Sequence, residues 1–274
     1  MSSKSFSKFC LKVCIGIAGL GIATSFTPIL NNPVKAGLGS VPDCPDEGSA
    51  AASGAMSQDC YQTPETMEVK FYELGFCTTS DPLSGANFSR TNCTKAWESS
   101  SGQTLDLASF SYQGLTSGLT HTIPNQTYEY AYVVVNTTWG MKGKAYFNDQ
   151  TYYTQADGNG GTNSDLYDKA DLTMTSLGGG SGCWDFSEST DYGPVKAYLT
   201  DSDLNTADAT TCSSSTRLVG SIDLDTPLVM TSAVNKYSLT WIVTKMGLWV
   251  DWDSGIHPSG FGTGPFVPNF TLTN

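Results

Sequence analysis

TYEYAYVVVNTTWGMKGKAYF, residues Thr127 to Phe147, is the longest stretch of the chain in which apolar residues follow a period of two. Successive side chains of an extended strand point to opposite faces. One face then carries Tyr128, Tyr130, Tyr132 and Val134, and the other carries Ala131, Val133 and Val135. A strand that is apolar on both faces must be covered on both, which predicts a central strand. Asn136 to Gly143 is predicted as a turn, and Lys144 to Phe147 as the returning strand of a hairpin.

The same period recurs along the chain and indicates the fold class. Further alternating segments begin at Met67, Gln103, Ala170, Val195, Arg217 and Tyr237, with segments rich in Gly, Ser and Asp between them. We find no convincing helical period after residue 36. These features predict an all-β protein, either a sandwich or a Greek-key barrel, with long loops. Residues 66–274 are expected to form one domain, and a subdivision near the glycine-rich segment 178–182 is the alternative.

The first 36 residues have the features of a secretory signal peptide. Three lysines give a basic start, residues 13–30 are mostly apolar, and Val34-Lys35-Ala36 suits a signal peptidase. An uncleaved signal anchor is the alternative, but polar residues and a proline make the apolar run short for a membrane span. We expect a secreted or cell-surface protein that begins at Gly37. Residues 37–65 have almost no large apolar side chains and are predicted to be a flexible arm, or a loosely tied loop held by Cys44 and Cys60.

The charge of the chain excludes two classes of partner. The whole sequence has 14 basic and 26 acidic residues, and four of the basic residues but no acid lie in the predicted leader. The mature part therefore has 10 basic and 26 acidic residues, a net charge of −16 with neutral histidines. A field of this sign repels nucleic acid and anionic membrane surfaces, so neither is expected as a partner.

The cysteines indicate a disulfide framework. Of eight cysteines, six lie after the predicted leader: Cys44, Cys60, Cys77, Cys93, Cys183 and Cys212. An even number in an exported chain is typical of disulfides, and 15 pairings are open. We favour the sequential pairs, because each pair flanks a loop rich in Gly, Ser, Asp and Asn. A structural zinc site is the alternative, but the sequence has no Cys-x-x-Cys and no histidine at ligand spacing.

Motifs for catalysis are almost absent from the sequence. It lacks Gly-x-Ser-x-Gly, His-Glu-x-x-His, a phosphate-binding loop and a Rossmann glycine pattern, so we expect a protein that is not an enzyme. A glycosidase remains open, because such an enzyme needs only two carboxylates. The acids in question are Asp185, Glu188, Asp191, Asp251 and Asp253, which lie near Trp184, Trp249 and Trp252. These three tryptophans are the candidate ligand-binding residues of a carbohydrate-binding module, the other form of this alternative.

Two loops resemble oxygen-rich calcium sites, and the looser match is Asp157-x-Asn159 with Asn163, Asp165 and Asp168. Asp201-x-Asp203-x-Asn205 repeats the first three ligand positions of an EF-hand loop. Thr206 stands where the EF-hand needs glycine, and Cys212 stands where it needs a bidentate acid. A bound calcium ion is thus a hypothesis, and a solvated turn is the alternative.

A family resemblance rests on four segments between Thr66 and Tyr153. They read VKFYELGFCTTSDP, SGQTLDLA, YEYAYVVV and MKGKAYF, with Cys93 between the first two. In this order they resemble secreted, disulfide-bearing β proteins of bacteria that have no assigned activity. By analogy with small exported β-sandwich proteins, the resemblance implies a subunit of a surface layer or appendage, and it carries over no catalytic residue.

The two ends of the mature chain suggest how such a subunit would assemble. The arm 37–65 precedes the predicted domain, and the extended segment PFVPNFTLTN, residues Pro265 to Asn274, follows its last clear strand. An extended segment of this kind can complete the open sheet edge of a neighbouring copy. It can also dock on its own domain as an edge strand.

Overall fold

A computed structural model describes residues 41–85, 87–109, 113–177, 186–190, 193–208, 211–233, 236–252, 255, 257–264 and 266–273. The predicted signal peptide lies outside these residues. The described strands are β1 Cys60–Gln62, β2 Thr66–Cys77, β3 Cys93–Asp106, β4 Leu119–Thr120, β5 Thr127–Asn136, β6 Thr138–Lys142, β7 Lys144–Phe147, β8 Gln150–Thr154, β9 Gly160–Gly161, β10 Ala170–Thr173, β11 Phe186–Thr190, β12 Gly193–Thr200, β13 Arg217–Val229, β14 Lys236–Ile242, β15 Leu248–Asp251, β16 Gly260–Thr263 and β17 Val267–Thr273. Short 3₁₀ helices span Ala50–Ser53, Ser164–Leu166 and Cys212–Ser214. The all-β prediction is confirmed.

The largest sheet is organised around β5. This strand pairs antiparallel with β2 on one side and with β13 on the other, and β12 and β11 continue the sheet beyond β13. β3 pairs with the opposite edge of β2, and β4 pairs with β3. The prediction that β5 is a central strand is therefore confirmed.

The predicted hairpin after β5 is wrong. β6 pairs with β2 at Thr66 to Glu68, whereas β5 pairs with it from Phe71 onward, and β3 occupies the other edge of β2 throughout. β5 and β6 therefore follow one edge of β2 as a single strand, bent at Thr137. The Thr137 hydroxyl is buried and donates to the Ser215 carbonyl at 3.0 Å. Lys144 to Phe147 forms β7, which pairs with β8 instead of β5.

Both faces of β5 are covered, as its pattern predicts. Ala131, Val133 and Val135 belong to the main hydrophobic core, whereas Tyr132 and Val134 belong to a second, smaller cluster on the opposite face. Tyr128 departs from the alternation, because its ring lies in the main core, 5.7 Å from that of Phe76. This departure coincides with a shift of register in β13, which skips from Asp223 to Leu228 opposite the same part of β5.

Three small antiparallel sheets cover the main-core face. Their strand orders are β1-β15-β16, β7-β8-β9 and β14-β17. A bridge between Asn159 and Gly260 connects β9 to β16, so the first two sheets are neighbours in one layer. Their buried residues, such as Val250, Phe261 and Tyr152, share the core with the large sheet. In the described residues the strand orders are open, which corresponds to the sandwich form of the prediction.

The segment before β2 differs from the predicted flexible arm of residues 37–65. From residue 41 onward it packs on the domain: Cys44, Met56 and Cys60 are each at most 3% exposed, and β1 pairs with β15. Backbone N–H groups of Asn148 and Asp149 donate to carbonyls of this segment at 2.9 and 3.1 Å. Its small side chains allow the backbone to pack closely against the domain. A count of large apolar residues in the sequence does not detect packing of this kind.

The structure also defines two boundaries within the chain. The loop after β2 covers residues 78–92 and ends where β3 begins at Cys93, which lies opposite Cys77 in the strand ladder. Residues 178–182, the predicted place of a subdivision, lie outside the described residues. Core residues from both sides of this segment, such as Val133 and Leu218, pack in one cluster. No helix of the described residues is long and apolar enough to cross a membrane.

The burial of β14 and β15 generates a stability prediction. Trp241 is 1% exposed, and its ring lies 5.7 Å from Phe71 and 5.0 Å from Phe266, whereas Trp249 is partly exposed. Trp241→Ala should lower the free energy of unfolding by about 3 to 5 kcal/mol, because it leaves a cavity in the core. Trp249→Ala, the matched control, should cost clearly less in the same denaturant titration. Equal losses would contradict the assigned faces of these strands.

Candidate functional site

Trp249 and Trp252, two of the three predicted ligand-binding tryptophans, have different surroundings. Trp184 lies outside the described residues. In β15, Leu248 and Val250 face the core, so Trp249 and Asp251 point to the outer side. Trp252 packs against the core instead, and its indole N–H donates to the Gly255 carbonyl at 2.7 Å. The two side chains are separated because Trp249 lies on the outer side of β15, whereas Trp252 follows the end of that strand.

The carboxylates of the glycosidase hypothesis are only partly described. Asp185, Asp191 and Asp253 lie outside the described residues, and so does the side chain of Glu188 in β11. Asp251 is exposed on the outer side of β15, where its Oδ2 accepts a hydrogen bond from the Ser259 hydroxyl at 2.9 Å. A catalytic pair stays a prediction.

The outer side of the β1-β15-β16 sheet has an aromatic surface. Trp249 lies opposite Tyr61 of β1, with ring centroids 5.9 Å apart and ring planes at 88°. On its other side, Trp249 lies opposite Gly262 of β16, which has no side chain to cover the indole. Two residues further along β15, Asp251 lies opposite Gly260, and Gly260 lies opposite Asn159. Because residues paired across strands share a face, these groups point the same way.

We call this feature the outer trough: Trp249 and Asp251 form one side, Gly260 and Gly262 the floor, and Asn159 the other side. All five residues are exposed or partly exposed. Beside it, the Asp157 carboxylate accepts from the Asn159 side-chain amide at 2.7 Å and from its backbone N–H at 3.0 Å. These two hydrogen bonds lower the pKa of Asp157, so it is ionised over the whole neutral range.

The predicted calcium loop is folded around its first aspartate. Asp201 Oδ1 accepts from the backbone N–H groups of Asp203 and Asn205, both at 2.9 Å, and Oδ2 accepts from the Asn205 amide at 2.9 Å. The hydrogen bonds from Asn205 lower the pKa of Asp201. Both carboxylate oxygens are thus engaged within the turn. The described residues contain no group of three or more acidic, histidine or cysteine side chains arranged for a metal ion, and calcium binding at Asp201, Asp203 and Asn205 stays a prediction.

The disulfides Cys44–Cys60 and Cys77–Cys93 are present. Cys212 is also disulfide-bonded, and its predicted partner Cys183 lies outside the described residues. Cys77–Cys93 closes the loop of residues 78–92, which covers the second face of the large sheet. Leu83 of this loop is 1% exposed and packs in the cluster that contains Tyr132 and Val134.

Two polar clamps, which the sequence did not reveal, hold the 78–92 loop on the sheet. In the first, Arg90 donates to both carboxylate oxygens of Glu73, at 2.6 and 2.8 Å, and the Tyr132 hydroxyl donates to the same carboxylate at 2.7 Å. Glu73 is buried, so this acid depends on its partners. Burial and the charge of Glu73 raise the pKa of Tyr132, which keeps its phenol protonated as a donor.

The second clamp is centred on Asp81 of the loop. Its Oδ2 pairs with Lys196 of β12 at 2.8 Å, and its Oδ1 accepts from the Ser221 hydroxyl of β13 at 2.8 Å. The ion pair with Asp81, mainly through its hydrogen bond, raises the pKa of Lys196. The loop is therefore fixed to β2, β5, β12 and β13 at once.

The segment predicted as a terminal strand is docked on its own domain. β17 pairs with β14 from Lys236 to Ile242. Just before it, the Phe266 ring lies between those of Trp139 and Trp241, at 4.9 and 5.0 Å. Phe270 reaches the core, 5.6 Å from Phe76. Two aromatic anchors and one strand edge thus hold this segment.

Fold and covalent structure define the class: an all-β, disulfide-bonded protein in which antiparallel sheets pack in layers. No known protein family, curated protein or solved structure matches the chain.

The first clamp generates a prediction with a matched control. Glu73→Gln keeps the shape of the side chain but removes the charge that Arg90 and Tyr132 contact, so the free energy of unfolding should fall by about 1.5 to 3 kcal/mol. Glu98→Gln removes the charge that contacts Lys95 and His121, and the side chains of all three residues are about one-third exposed. It should cost less than about 1 kcal/mol. Urea titrations at constant pH and salt measure both values, and equal costs would show that the clamp adds nothing beyond a surface pair.

Proposed function

We propose that this chain is an exported, non-catalytic structural protein of the cell surface, which assembles with copies of itself by exchanging β17. Disulfides are typical of oxidising compartments and support export. The disulfide-closed loop and its two clamps support a rigid building block. The proposal rests mainly on how β17 is held: it is a separate extended segment that pairs with one edge of β14.

The contacts of β17 are equally available to the same segment of another copy. Backbone hydrogen bonds to β14 supply affinity, and Phe266 and Phe270 set the register by entering the aromatic core at fixed positions. A strand from a neighbour would make the same contacts, so the free-energy difference between the two forms depends on the connection and the protein concentration. Exchange of β17 between copies therefore requires no contacts other than those that β17 already makes within one chain.

The connection before β17 is short. Only residues 264–266 separate β16 from β17. Gly264 donates its N–H to the Gly247 carbonyl at 3.0 Å, and a Cβ at this position would overlap the Met246 carbonyl oxygen. Short connections of this kind favour strand exchange, because they restrict how a strand can return to its own domain. Exchange by each copy with the next would produce an open chain of subunits.

Two single-cysteine chains test this exchange. Thr240 of β14 and Asn269 of β17 are paired neighbours, and Thr240 is 5% exposed. We expect Thr240→Cys and Asn269→Cys chains, when they are co-expressed, to form a disulfide between two different chains. A nonreducing gel and peptide mapping identify this link, since a buried cysteine at 240 is reached only by a docked β17.

Each variant expressed alone is the control for accidental surface disulfides. The double variant Tyr146→Cys and Thr151→Cys, on paired positions of β7 and β8, controls for a connection that stays within one chain. An assembled protein in which co-expressed chains never cross-link at 240 and 269 would contradict strand exchange. A protein that stays monomeric at high concentration would contradict the assembly function itself.

A further inference from the structure

We propose that the outer trough binds a pyranose ring of a neutral polysaccharide. This function goes beyond the proposed assembly and does not depend on it, because the trough lies on β15 and β16 and uses no residue of β14 or β17. Three features of the trough support sugar binding: the aromatic side, the bare floor and the hydrogen-bond acceptors around it.

The aromatic side is suited to a sugar ring. Trp249 is held by the edge-to-face contact with Tyr61, and it is partly exposed although it lies on a regular strand. Its indole N–H is buried and has no hydrogen-bond partner among the described residues. The exposed part of the indole is therefore apolar ring surface, which can stack on the C–H face of a pyranose. Immobilising this ring costs little on binding, because the cross-strand contact already orients it.

The backbone does not require glycine at the two positions that form the floor of the trough. Neither Gly260 nor Gly262 has a positive φ. A Cβ on Gly262 would meet the Trp249 side chain at 3.6 Å, and one on Gly260 would meet the Gly158 carbonyl at 3.5 Å, which are ordinary contacts. Larger residues would strengthen a strand at both positions. Glycine inside a strand often marks the close approach of a ligand, and here it leaves the indole accessible.

The acceptors identify the ligand as neutral. The carboxylates of Asp251 and Asp157 flank the floor, with the amide of Asn159 between Asp157 and Gly260. Carboxylates accept hydrogen bonds from sugar hydroxyl groups and repel uronate or sulfate groups. The net charge of the mature chain acts in the same direction. The trough therefore fits neutral hexoses or pentoses and disfavours anionic sugars.

Affinity electrophoresis tests the site with defined probes: hydroxyethyl cellulose, mannan, xylan and, as the anionic probe, polygalacturonate. We expect at least one neutral polysaccharide to retard the intact chain, and polygalacturonate not to retard it. Trp249→Ala should weaken this binding about tenfold, the scale of one lost aromatic contact. Tyr146→Ala, which changes an aromatic residue of β7 outside the trough, should bind like the unchanged chain.

A second pair of variants separates binding from folding. Gly262→Leu places a large side chain on the floor and should abolish retardation, whereas Gly262→Ala adds one methyl group at an ordinary contact distance and should retain most of it. Denaturant titration of both variants checks that the fold is intact. The proposal is overturned if no neutral polysaccharide retards the intact chain. It is also overturned if a folded Gly262→Leu chain is retarded as strongly as the unchanged chain.

Discussion

The constraint on which the structure depends is that β5 must be covered on both faces. Ala131, Val133 and Val135 require one layer, and Tyr132 and Val134 require another. The first need is met by β14, β17 and the other small sheets, whose side chains complete the main core. The second is met by the 78–92 loop, which has little apolar surface of its own. Leu83 and Phe88 supply the apolar contacts. The two clamps, together with the Tyr198 hydroxyl, which donates to the carbonyls of Leu83 and Gly85, supply the polar contacts that fix the loop.

The bulge in β2 is what makes the first clamp possible. From Met67 to Phe71 the apolar residues occupy alternate positions, and continuing this alternation would direct Glu73 into the main core. The register shifts between Phe71 and Glu73, so Glu73 meets Arg90 and Tyr132 on the second face, while Leu74 and Phe76 enter the core. An acid at an apolar position of the pattern was a visible signal. That signal alone does not reveal the bulge, nor does it identify Arg90, 17 residues away, as the partner of Glu73.

The period of two was sufficient to predict the all-β class and the central position of β5, because both follow from residues close in sequence. It failed where strand pairing over a long sequence distance determines the structure. The residues of β6 have the pattern of a turn, but β6 continues along β2, and the paired residues of β2 lie more than 60 positions earlier in the sequence. The candidate site shows the same division. Exposure of Trp249 follows from its alternation with Leu248 and Val250, whereas Tyr61, Gly262 and Asn159 become its neighbours only through sheet pairing. The local sequence pattern determines which face of a strand a residue occupies, and the sheet topology determines which residues become its neighbours.

The central claim is that β5 is the most securely held strand and that β17 is the strand that can be released. Native-state hydrogen exchange of individual backbone amides tests both parts at once. The account predicts that amides of β5 bonded to β2 and β13 exchange only through global unfolding, and that amides of β17 bonded to β14 exchange faster, through local opening. A common exchange rate for β5 and β17 would contradict it, because β17 would then be as inseparable from the core as the strand at its centre.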